Sequence, residues 1–174
     1  MTRTPRRPTA LLLAGLLLAG AALAGQEDAD VHRECNHCGM DRKAYGYSRM
    51  LIRFADGGEA GVCSLHCALV ELEGAPGRAV AALLVADRDG RDLLPVEAAT
   101  WVLGGGKRGV MTARAKWAFA SPGAAAAFVR EHGGQVVSWE AARQAAADDL
   151  AEERRLLGAR RQRASGCAGA PRAG

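Results

Sequence analysis

Apolar residues along this chain follow two periods, and the switches between them mark the elements. Met50-Leu51-Ile52-Arg53-Phe54 is a short apolar run with strand character, followed by the turn signal Asp56-Gly57-Gly58 and a return strand over 59–63. Ser64 then has the character of a helix N-cap, and a helix over 65–72 carries Ala68, Leu69 and Leu72. A break at 74–77 precedes a strand at 80–87, the turn Asp89-Gly90 and a short partner strand at 93–96. Residues 97–103 read either way, though Thr100-Trp101-Val102-Leu103 favours strand. A glycine-rich loop from Gly104 ends at Gly109-Val110-Met111, and another strand is predicted at 116–120.

Ser121-Pro122 supplies cap and first-turn residues for a helix with Ala125, Phe128 and Val129 on one face. That helix stops at Gly133-Gly134, and 135–138 forms a last strand. Trp139, Ala142, Ala146, Leu150 and Leu157 then recur at roughly helical spacing. The pattern predicts an α+β fold of two small modules, each of β-hairpins packed on helices. The modules occupy 35–141, a C-terminal amphipathic helix spans 142–163, and a disordered tail occupies 164–174.

The start of the chain follows a different logic. Arg3, Arg6 and Arg7 precede a short apolar run, and Ala22-Leu23-Ala24 offers the small residues of a cleavage site. Residues 1–24 therefore read as a signal peptide, with 25–34 as a polar, flexible lead-in. The expectation is an exported, periplasmic protein; retention of the apolar segment as a membrane anchor is the alternative. The Arg6-Arg7 pair is compatible with twin-arginine export, although such pairs are common in leader segments. Losing three arginines with the leader lowers the formal charge of +4 to about +1. No basic field remains that would favour nucleic acid, and nothing points to a small-molecule substrate or to catalysis.

Cysteine chemistry changes the picture most. Cys35-Asn36-His37-Cys38-Gly39-Met40 packs two thiols, an imidazole and a thioether into six residues, and Cys63-Ser64-Leu65-His66-Cys67 follows. Cys167 is the odd thiol, in the Gly/Ala/Arg-rich tail. Two thiol pairs flanking a hairpin suit a structural zinc site, and in an oxidising compartment they equally suit disulfides. Met40 points elsewhere, because Cu(I) accepts thioether sulfur and zinc does not favour it. His37 and His66 are secondary imidazole donors, and Met111, on its glycine loop, is a mobile sulfur donor. A thiol–disulfide exchange role is the least supported reading. Its usual setting is a strand feeding a C-x-x-C helix, whereas here Gly39 directly follows the second cysteine.

Cys35-x-x-Cys38-Gly39-Met40, the hairpin 50–63, Gly109-Val110-Met111, Trp117-Ala118-Phe119 and the run Ala125 to Val129 with Gly133-Gly134 together resemble the NosL family. The resemblance covers about 34–141. It implies an exported copper chaperone associated with assembly of the copper centres of nitrous oxide reductase, with Cu(I) held by Cys38, Met40 and Met111. Its expected partners are a client cuproenzyme and an ABC-type maturation transporter. The lipid-accepting cysteine of the best-known members is missing here. Cys63 and Cys67 form an added pair, available as further copper ligands, as zinc ligands with Cys35, or as a disulfide.

Overall fold

This computed structural model describes residues 27–168; the expected signal peptide at 1–24 lies outside them. Among the described residues, seven strands and four helices follow one another in the order α1 (Glu27–Val31), β1 (Met50–Phe54), β2 (Glu59–Val62), α2 (Leu65–Gly74), β3 (Val80–Ala86), β4 (Leu93–Pro95), β5 (Thr100–Leu103), β6 (Lys116–Phe119), α3 (Pro122–His132), β7 (Gln135–Val137) and α4 (Trp139–Ala168). The fold is α+β, as the hydrophobic pattern predicts. Among the described residues no helix is long and apolar enough to cross a membrane.

The strands form two antiparallel sheets, β2-β1-β3-β4 and β6-β5-β7. In the first, β1 is central, with Ile52 opposite Ala60 on one side and Leu83 on the other. Four of its five residues are buried and only Arg53 faces solvent, as expected for a strand covered on both faces. In the second, β5 pairs with β6 and β7, with Val102 opposite both Trp117 and Val136.

Side-chain alternation along β5 ties the modules together. Val102 faces a small core with Trp117, Phe119, Ala125 and Phe128 beneath α3. Trp101 faces the other way, into the main core with Met50, Ile52, Val62, Ala142 and Ala146. Its indole Nε1 donates to the Val96 carbonyl at 2.8 Å, and its ring lies 5.2 Å from that of Trp139. The second module therefore contributes Trp101 to the main core while keeping a smaller core of its own.

Two stretches differ from the sequence expectation. Within the expected lead-in, α1 forms and buries Ala29 completely. Asp28 draws it in, by accepting hydrogen bonds from Arg42 at 2.6 Å and Arg49 at 2.7 Å. Both guanidinium side chains are fully buried. The last helix begins at Trp139 and runs to Ala168, so helix occupies the start of the expected tail. Its buried stripe of Ala142, Ala145, Ala146 and Leu150 ends there, whereas Leu157 is exposed. No α4 residue from 151 to 165 is buried.

Candidate metal centre

The first half of the site is a tight knuckle. The Cys35 N–H donates to the Met40 carbonyl, and the Gly39 N–H donates to the Cys35 carbonyl, each at 2.8 Å. Gly39 sits at φ +73, a left-handed conformation that a residue with a Cβ adopts reluctantly. This turn brings Cys38 back towards Cys35. Arg42 clamps the knuckle to the hairpin: its Nε donates to the Val62 carbonyl at 3.2 Å and its Nη2 to the Met50 carbonyl at 2.9 Å.

The second half lies where β2 feeds α2. Cys63 follows the last residue of β2, and Cys67 is in the first turn of α2. Ser64 occupies the N-cap position, but its side chain makes no cap hydrogen bond. The Ser48 hydroxyl donates to the Cys63 carbonyl at 2.9 Å, fixing the junction against the knuckle connector.

The fold brings Cys35, Cys38, Cys63 and Cys67 together, with all four sulfurs within 4.8 Å of one another. Sγ separations are 3.6 Å for Cys38–Cys63, 3.5 Å for Cys63–Cys67 and 3.8 Å for Cys67–Cys38. All four are free thiols, and only Cys38 is partly exposed. Hydrogen bonds from the Cys63 and then the Cys67 thiol favour the Cys35 thiolate and hold its pKa far below the ordinary range. The cost appears at the donors. Hydrogen bonding to Cys35 pushes Cys63 up to about 12, and Cys67 is pushed up by Cys35 and Cys63 in turn. One negative charge is easily placed here, but four need a cation to balance them.

Beside the cluster runs a groove of about 1140 Å³, lined by Met40, His66 and Met111 among others. Met111 is 40% exposed and sits at φ +56, a strained conformation for this residue type. Its loop is tied down on both sides. A Cβ on Gly109 would lie 2.8 Å from the Ala115 Cα, so only glycine allows that approach. Thr112 donates to Asp149 at 3.1 Å, Arg114 donates to the same carboxylate at 2.7 Å, and Lys116 pairs with it. His66 is buried, and burial lowers its pKa, which favours the neutral imidazole; Glu153, 3.8 Å away, opposes this in part.

The candidate residues thus divide between two adjacent places. The four cysteines form one set, while Met40, Met111 and His66 line the other. His37 is exposed, with its ring 6.5 Å from that of His66. The side chain of Cys167 lies outside the described residues. Sequence reasoning missed Asp149 and the α4 residues Glu152, Glu153, Leu156 and Leu157 that wall the groove. Leu156-Leu157, falling after the buried stripe has ended, is the one sequence signal that could have marked them.

A clustered tetrathiol beside a methionine-lined groove, on two antiparallel sheets, defines an α+β protein with a soft-metal donor set. The NosL family model matches residues 27–147, and the chain belongs to that family. In structure the chain is similar to one described as "Crystal structure of the copper chaperone NosL from Shewanella denitrificans". Identity is 18% and the TM-score 0.49, over 62% of this chain and 87% of that one. No curated protein matches the chain.

Proposed function

We propose that this protein is a periplasmic Cu(I) chaperone, without catalytic activity, that carries copper to a cuproenzyme such as nitrous oxide reductase. Membership of the NosL family supports the reading. The observation that supports it is that Met40 and Met111, 71 residues apart in the chain, both line one groove. Two thioethers beside thiols form a donor set suited to Cu(I) and poorly suited to zinc.

Cys38 supplies the thiolate, because it is the least buried of the four cysteines. Met40 and Met111 complete a three-sulfur site, with the neutral imidazole of His66 as a nitrogen donor nearby. A partly open site holds the ion strongly yet admits an incoming donor. Transfer then proceeds by stepwise replacement of one sulfur at a time. The client enzyme and an ABC-type maturation transporter are the partners this reading implies.

Anaerobic titration of the reduced protein with Cu(I), against a competing chelator, tests it. The Met40→Ala/Met111→Ala variant is expected to bind at least tenfold more weakly. Unchanged affinity would remove the proposed ligand set and favour a thiol-only, structural role.

A further inference from the structure

We propose that the outer half of α4 pairs with α4 of a second copy of this chain, antiparallel and about a two-fold axis between Leu156 and Leu157. This goes beyond the copper reading and does not rest on it.

The face concerned has no cover within the chain. At about 100° per residue, Glu153, Leu156, Leu157, Arg160 and Ala164 fall within about 100° of one another. They continue the side of the helix that carries the buried Ala142 and Ala146, which face the main core. Past Leu150 this side runs on for about 21 Å, as far as Ala164, with no buried residue. Leu156 and Leu157 remain 48% and 43% exposed. Helices in proteins draw most of their stability from packing an apolar face, and this one ends on a leucine pair with nothing against it. The NosL match stops at residue 147, so the face is a feature of this chain beyond the matched segment.

Charge identifies the occupant. Glu153 and Arg160 lie three residues to either side of the leucine pair. Neither has an opposite charge three or four positions away on its own helix. Glu153 approaches His66 at 3.8 Å, but burial there favours the uncharged imidazole. The charges around them are paired within the chain, Arg155 with Glu152 and Arg154 with Glu73 of α2. An antiparallel copy turned about the leucine pair sets Arg160 of the partner subunit against Glu153, and Leu157 of the partner subunit against Leu156. The same contacts repeat across the axis, which is an isologous interface. A parallel copy would oppose like charges instead. Any other partner needs a basic, apolar and acidic stripe at this spacing, and this chain already carries one.

Leu156, Leu157 and Arg160 also line the groove that holds Met111. A second copy on this face therefore covers the α4 wall of the groove and restricts the access of water to Met111.

The test is sedimentation velocity of the protein over a concentration series, reduced so that no intermolecular disulfide contributes. Expected is a reversible monomer–dimer equilibrium with a Kd of about 1–100 μM, the range of a small interface. Glu153→Arg and Arg160→Glu are each expected to weaken it about tenfold or more, since each opposes like charges. The double variant Glu153→Arg/Arg160→Glu exchanges the charges across the axis and is expected to return to within about threefold of wild type. Peroxide oxidation of Met111, read by peptide mass spectrometry, should slow as the dimer forms. Should a swapped variant lose helix by circular dichroism, the wild type decides: its association must weaken as salt rises. A monomer at about 1 mM chain would overturn the pairing and leave the face to a different protein. A dimer indifferent to salt and to both single swaps, or one the double swap fails to restore, would overturn it as well.

Discussion

Replacing Asp28 by alanine is the sharpest test of how the site is held. Asp28 is the only carboxylate paired with two guanidinium groups whose side chains are fully buried, among the ion pairs of the described residues. Arg42 donates to it at 2.6 Å, and Arg49 donates through Nη2 at 2.7 Å and Nε at 3.1 Å. Both arginines also reach carbonyl oxygens: Arg42 those of Val62, Met50 and His32, Arg49 those of Gly46 and Arg91. Those contacts survive the substitution, but two buried guanidinium groups then lose the carboxylate that pairs with both of them. Breaking a buried pair in this way costs about 3–5 kcal/mol, far more than an exposed pair would.

With a urea m-value of about 2 kcal/mol/M, the unfolding midpoint should fall by about 2 M with its slope unchanged. Arg42 also clamps the knuckle to the hairpin, so metal affinity should fall with stability. The pH dependence has a definite sign. Burial alone would raise the Asp28 pKa, but Arg49 and then Arg42 outweigh it and hold the carboxyl below its ordinary value. Its contribution is therefore fully present above the unfolded value of about 3.9 and is lost as pH falls through the lower folded value. Urea melts of wild type and Asp28→Ala, compared from pH 7 downwards, should converge in acid. A difference under about 0.5 kcal/mol at pH 7 would show that the carbonyls alone satisfy the two arginines, and the reasoning would fail.

Two further substitutions probe the groove without touching the thiols. Gly109→Ala puts a methyl group 2.8 Å from the Ala115 Cα, so the loop must move. Cu(I) affinity should drop several-fold while the four thiols react as in the wild type, as read by competition titration and thiol counting. Asp149→Asn removes the charge that anchors Thr112, Arg114 and Lys116. Amide exchange over 109–115 should accelerate, and Met111 should oxidise faster by peptide mass spectrometry; unchanged exchange would mean that Gly109 packing alone holds the loop.

Local signals were strong enough to place most elements within a residue or two. Hairpin turns, Ser121-Pro122 and the paired glycines act through backbone geometry, which depends on neighbours in sequence. The acidic stretch before the knuckle shows where that logic stops. Glu27, Asp28 and Asp30 look like a solvated leader, and only the distant Arg42 and Arg49 turn one of them into an anchor. Leu157 shows the converse: its spacing fits the buried stripe, but the core that the stripe covers ends at Leu150.

The sequence by itself determined the donor chemistry: four paired thiols, two thioethers and two imidazoles. Only the tertiary structure decided which donors meet. His66 and Cys67 are neighbours, yet one α-helical step turns a side chain by about 100°, so the imidazole faces the groove and the thiol faces the cluster. Met111 reaches the same groove as Met40 because a loop in the second module is pinned to α4 by Asp149. Spacing along a chain reports turns and faces, while a metal centre built from four segments depends on the packing between them.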